Sequence, residues 1–310
     1  MRPLLLDLNA APGLAERLCA HADLEPGEIS RRQFPDGETY LRLVSPIADR
    51  DVILLCTLDR PDGKALPLLF AAAAAREQGA RSVGLVAPYL AYMRQDKAFQ
   101  PGEAVTSATF ARLLSGALDW LVTLDPHLHR YPSLASIYPV PAFVATAAGP
   151  VAEWIRANVD DPVLIGPDEE SAQWVDQIAR RAGARSSVFR KRRSGDFEVS
   201  ITAGTFEIGD GTAVIVDDIA SSAQTMIEAV ARLNEAGGRA PVCVAVHPIF
   251  AGDAFERLQA AGPAMIASTN SIAHPTNAID VSSELALRIE EALNGDAGRG
   301  ANHGKKEQQK

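Results

Sequence analysis

Short apolar runs alternate along the chain with longer stretches whose apolar positions recur at helical spacing. The runs Asp51–Cys56, Ser82–Ala87, Trp120–Thr123, Pro162–Ile165, Ser187–Phe189, Ala213–Val216, Val242–His247 and Ala264–Ser268 predict strands. Most lack strict period-two alternation, the pattern of strands buried on both faces. Between them Pro67–Glu77, Ser107–Leu114, Ser171–Ala182 and Thr225–Ala236 predict helices. Gly79, Gly116, Gly183 and Gly237-Gly238 stand at or just past their ends, where glycine stops a helix. Strand–helix–strand repetition predicts an α/β fold with mostly parallel sheets and right-handed crossovers.

A single core stops growing near ~250–300 residues, so 310 residues predict two domains. The two halves are similarly organised, and the Pro- and Gly-punctuated stretch Pro139–Pro150 divides them. The expected domains are 1–145 and 146–294, with a polar, Gly-rich, disordered tail at 295–310. The formal net charge of −9 argues against nucleic acid as a partner, which calls for a cationic face. Cys19, Cys56 and Cys243 are too scattered for a disulfide framework or a paired metal motif, and Cys56 and Cys243 read as small buried hydrophobes. The start is too short before Asp7 for a signal-peptide core, and no run of ~18 apolar residues is free of charges and breakers. A cytoplasmic protein with no membrane association is expected.

Chemistry concentrates after the run Ala213–Val216. Asp217 and Asp218 follow it at once, then Ile219, Ala220, Ser221, Ser222, Ala223, Gln224 and Thr225 lead into a helix. Open α/β sheets bind ligands at the carboxyl ends of their strands. Paired carboxylates there can accept hydrogen bonds from vicinal sugar hydroxyls or hold water around Mg²⁺. Backbone N–H groups and hydroxyls at a helix start make an anion site. The combination fits a pentose phosphate; the plainer reading is an acidic helix cap with no ligand.

The segment Val216–Met226 resembles the PRPP-binding loop of ribose-phosphate pyrophosphokinases (PRPP synthetases) and of type I phosphoribosyltransferases. Two small residues usually precede the threonine in that loop; here they are Ala223 and Gln224, so a long side chain stands where backbone usually approaches phosphate. Four further segments follow the order found in the synthetases. Phe34-Pro35-Asp36-Gly37-Glu38 is a turn by its Pro and Gly, and a solvated hairpin tip is the plain reading. Pro88-Tyr89-Leu90-Ala91-Tyr92-Met93-Arg94-Gln95-Asp96 and Leu124-Asp125-Pro126-His127 each follow a buried run. Gly166-Pro167-Asp168 opens the second half, continuing with Glu169-Glu170-Ser171 where relatives usually have glycine. Arg190-Lys191-Arg192-Arg193 is a cationic run, commonly a solvated face, that resembles the family's mobile Lys-Arg-Arg loop. His127 and His129 could also be read as a metal pair, but no third ligand is evident.

The resemblance implies two similar type I phosphoribosyltransferase-like domains, each a mostly parallel sheet flanked by helices. It implies transfer of the β,γ-pyrophosphoryl group of ATP to O1 of ribose 5-phosphate, giving PRPP and AMP. Phe34, Asp36 and Glu38 would hold adenine across a subunit interface, which makes the protein a homo-oligomer, a dimer or larger. Arg94, Gln95 and Asp96 would hold the rest of ATP. His127 and Asp168 would arrange phosphates and Mg²⁺, and Lys191, Arg193 and His127 would carry the chemistry. Asp217, Asp218, Ser221, Ser222, Ala223, Gln224 and Thr225 would hold ribose 5-phosphate. A PRPP-consuming phosphoribosyltransferase, a non-catalytic regulatory relative, and a synthetase with another pentose phosphate as acceptor are the alternatives.

Overall fold

The computed structural model describes residues 1–128, 130–166, 172–188, 190–193, 199–202 and 209–303. His129, residues 167–171 with Asp168, Phe189 and residues 194–198 lie outside that set. The chain divides into two compact units. The first holds residues 1–145 and the C-terminal helix Ser282–His303; the second holds 146–281.

The first unit is built on a sheet of six described strands. Their spatial order is Glu25–Gly27, Leu4–Asp7, Asp51–Leu55, Ser82–Ala87, Trp120–Leu124, Ala142–Ala145, and every pairing is parallel. The central runs are buried end to end, Ser82–Ala87 and Trp120–Leu124 at every position, as parallel strands covered on both faces must be. Close packing fixes one residue type here. A Cβ on Gly84 would lie 2.1 Å from the ring of Trp120, its partner on the next strand, so the indole occupies the space a side chain would need.

The second unit repeats the plan. Arg185–Val188, Pro162–Gly166, Thr212–Ala220, Val242–Pro248, Met265–Thr269 and Asn277–Ile279 lie side by side, again all parallel. Within each sheet the first strand in sequence lies between the second and the third. Chain order therefore reverses there, making a switch point at the carboxyl ends of the first and third strands. Each unit also carries a two-stranded antiparallel ribbon between its second and third sheet strands. In the first unit it is Ile29–Gln33 with Thr39–Leu43; in the second it is Arg190–Arg193 with Val199–Thr202.

Several elements differ from the sequence reading. The helix expected at Pro67–Glu77 begins at Asp62, because the N–H groups of Lys64 and Ala65 turn back onto the Pro61 carbonyl and accommodate Pro67 in the second turn. The strand expected at Ala213–Val216 continues to Ala220, since the neighbouring strand is long enough to pair Asp217 with Ala245, Ile219 with His247 and Ala220 with Pro248. Lys191 and Arg193 lie in a strand where a loop was expected; β-branched Ile201 and Val199 stand opposite them. The helix Ser282–His303, placed by sequence partly in the second domain and partly in a disordered tail, packs in the first unit on the helix Leu14–His21 and the strands Trp120–Leu124 and Ala142–Ala145. Leu285, Ala286, Ile289 and Ala292 are its buried stripe. Once that stripe is docked, each further residue adds a hydrogen bond, and the helix runs on to His303.

Candidate functional site

In the second unit, Asp217 and Asp218 follow the buried stretch Ala213–Val216 within one strand, near its carboxyl end, and both are half-buried. They sit beside the switch point, with Pro162–Gly166 as the neighbouring strand. The chain then reverses through Ser221–Ala223 into the helix Gln224–Glu235. Ala223 adopts a left-handed conformation (φ 53°, ψ 13°) as the helix cap and offers no side-chain cap to the first turn. The first-turn N–H groups have no partners inside a helix, and such an end can receive an anion. The turn is braced from outside: the N–H of Phe250 donates to the Ala220 carbonyl (2.8 Å) and that of Ala251 to Ser221 (2.9 Å). Phe250 accepts a left-handed backbone (φ 38°) to do so, its ring packed on Phe255 and His274. Burial lowers the His274 pKa.

Gln224 does not project over the turn. Its Oε1 accepts from the Arg257 guanidinium (2.6 Å) and its Nε2 donates to Glu228 (2.8 Å), which holds the amide on the exposed flank of the helix. Ser221 and Thr225 are half-buried, Ser222 is exposed and Ala223 is buried. Lys191 and Arg193 lie in the basic ribbon opposite Ile201 and Val199.

The first unit treats its own switch point differently. After Leu55, the Thr57 carbonyl accepts from both Asn9 (3.0 Å) and Lys64 (3.1 Å), and Lys64 also pairs with Asp59, so this turn is cross-braced by its own side chains. The chemistry-bearing residues come instead from the ribbon and from the next two strands. At the ribbon tip, the Phe34 N–H donates to Glu38, Gly37 turns with φ 93°, and the Asp36 carboxylate accepts from the Glu38 N–H. Phe34 is 38% exposed. The Arg32 guanidinium lies 4.5 Å from the ring centres of both Phe34 and Tyr40, a stack the sequence reading did not single out.

After Ser82–Ala87, Tyr92 takes a left-handed conformation (φ 63°) and its hydroxyl bonds the Asp62 carboxylate, which pushes its pKa up. This turn brings out Arg94 and Gln95, both exposed. Arg94 has no ion-pair partner among the described residues. Thr106 donates to the Gln95 Oε1 (2.8 Å), leaving the amide nitrogen as that side chain's outward donor. Asp96 is turned inward, its side chain 1% exposed and paired with Arg130. His127, half-buried, leaves the adjacent strand just after Asp125, which has a positive φ of 33°.

Mg²⁺ is usually bound through one or two carboxylates plus substrate phosphates. The hard oxygen donors of Asp217 and Asp218 suit that ion, and no group of three or more metal-ligating side chains gathers among the described residues. Burial pushes the Cys56 and Cys243 thiols up to about 12, as expected of packing residues.

Two family models match the chain: the N-terminal domain of ribose phosphate pyrophosphokinase over residues 4–117, and the phosphoribosyl transferase domain over residues 133–279. Together they define an enzyme of two phosphoribosyltransferase-like domains. Ribose-phosphate pyrophosphokinase of Methanopyrus kandleri is 31% identical over 93% of this chain and 98% of its own length. That of Saccharolobus solfataricus is 30% identical over 92% of this chain and 100% of its own. The crystal structure of phosphoribosylpyrophosphate synthetase from Mycobacterium smegmatis has the same fold, with a TM-score of 0.80 at 22% identity over 95% of this chain and all of that one. The chain belongs to the ribose-phosphate pyrophosphokinase family. Among the described residues no helix is long and apolar enough to cross a membrane.

Proposed function

We propose that the chain transfers the β,γ-pyrophosphoryl group of ATP to O1 of ribose 5-phosphate, and that the second unit holds the acceptor while the first holds ATP. The observation that carries this reading is the pair Asp217 and Asp218 at the end of a buried strand, followed directly by a helix N-terminus without a side-chain cap. Carboxylates for vicinal hydroxyls and a phosphate-binding helix end, a few residues apart, match the two ends of a pentose phosphate.

In the reaction a bond forms between O1 and the β-phosphorus, the 1-hydroxyl loses its proton, and the bond from that phosphorus to the oxygen of AMP breaks. The protein acts by positioning and electrostatics. Asp217 and Asp218 orient the ribose hydroxyls. Ser221, Ser222, Thr225 and the N–H groups around Ala223 hold the 5-phosphate. Phe34 stacks on adenine, with Asp36 and Glu38 at its polar edge. Arg94 and Gln95 hold the nucleotide, and Lys191 and Arg193 face the charge that builds on the transferring group. Mg²⁺, held by His127, Asp168 or the Asp217–Asp218 pair, supplies charge neutralisation on the phosphate oxygens when bound. The adenine ribbon serves a neighbouring chain, so the working form is a homo-oligomer of two or more chains, acting in the cytoplasm.

The purified chain, given ATP, Mg²⁺ and ribose 5-phosphate, should release AMP and PRPP in equal amounts, and EDTA should stop both. AMP release independent of ribose 5-phosphate, or no product at any inorganic phosphate concentration, would contradict the proposal.

A further inference from the structure

Asp96 belongs to the segment assigned to ATP, yet its carboxylate is turned inward. Its side chain is 1% exposed, and the Arg130 guanidinium donates from one nitrogen to both of its oxygens (2.9 and 3.1 Å). Both carboxylate oxygens accept from that one nitrogen, so Arg130 anchors the Asp96 side chain. Neighbouring contacts point the same way. The Tyr131 hydroxyl donates to the Asp96 carbonyl (3.3 Å) and bonds the Ser107 hydroxyl (2.9 Å), while the Ser107 N–H donates to the Gln95 carbonyl (3.3 Å).

Arg130 and Tyr131 lie in the loop that carries His127, and that loop leaves the strand next to the one that feeds Arg94. We infer that Asp96 and Arg130 are positioning residues: their ion pair fastens the segment bearing Arg94 and Gln95 to the loop bearing His127, so that the nucleotide-handling groups of two loops keep one spacing. Charge-assisted pairing suits this role: one cationic nitrogen reaches both carboxylate oxygens, a contact that an ammonium can also make. The inference rests on the proposed assignment of the first unit to ATP.

Calorimetry with α,β-methylene-ATP tests it without requiring turnover. Binding by the full chain should weaken about tenfold in Arg130→Met, with most of the loss restored in Arg130→Lys, while ribose 5-phosphate affinity stays within about twofold. Where Asp96→Asn alone folds poorly, Asp96→Asn combined with Arg130→Met removes the charge left unpaired on Arg130 and should show the same tenfold loss. Wild-type nucleotide affinity in that double variant would overturn the positioning role. So would a loss in Asp96→Asn with none in Arg130→Met, which would mean that Asp96 touches the nucleotide directly. Absence of analogue binding to the wild-type chain would instead sink the ATP assignment itself.

Discussion

Gln224 stands where the resembling phosphate loops usually carry a small residue, and its side chain takes a particular way out. Arg257 and Glu228 engage both ends of its amide and hold it on the outer flank of the helix, so the approach to the turn is left to backbone and to Ala223. Gln224→Ala should therefore change the KM for ribose 5-phosphate by less than about threefold, within the range of an exposed neutral hydrogen bond. A tenfold rise would mean that the amide touches the phosphate. The pair Asp217-Asp218 and the hydroxyls after it were legible in sequence because their chemistry is local: acids, then hydroxyls, then a helix start. Arg130, Arg257 and Arg32 were not. Arg130 and Arg257 lie 34 and 33 residues from their partners, and a pair closed by tertiary folding leaves no spacing to read; Arg32 meets Phe34 and, directly across the ribbon, Tyr40, a stack that depends on strand register. The inward orientation of Asp96 was hidden for the same reason.

The same division holds for whole elements. Buried parallel strands announce themselves as continuous apolar runs, so the sheet centres were readable; edge strands such as Glu25–Gly27 and Asn277–Ile279 are short and half polar, and were not. Where a strand ends depends on its neighbour. Asp217 and Asp218 read as loop residues by composition, but the ladder to Val242–Pro248 holds them in a strand, which gives their carboxylates a rigid base. The basic run gains its meaning from topology: its ribbon occupies the place in the second unit that the Phe34 ribbon occupies in the first. If the two cations serve the reaction, Lys191→Ala and Arg193→Ala should each lower turnover by on the order of 10²–10³, about 3–4 kcal/mol of transition-state stabilisation. Binding of ribose 5-phosphate, measured at equilibrium, should persist in both. Equal loss of binding and turnover would place them in the acceptor site instead.

The molecule as a whole is one plan used twice, with the same strand order, the same switch point and a ribbon inserted at the same place. Neither helix that follows a third strand carries a side-chain cap; the first unit adds a brace of Lys64, Asn9 and Asp59 at the turn and draws its exposed polar groups from the ribbon and the fourth and fifth strands. Two copies of one fold thus carry different side chains at corresponding ends. The central claim concerns one bond, from O1 of the sugar to the β-phosphorus. Ribose 5-phosphate freshly labelled with ¹⁸O at O1, incubated with the chain, ATP and Mg²⁺, should yield PRPP whose C1–O–P bridge carries the label, seen as an isotope shift of the β-derived phosphorus in ³¹P NMR, beside unlabelled AMP. Label appearing in AMP, or PRPP with an unlabelled bridge, would contradict the account.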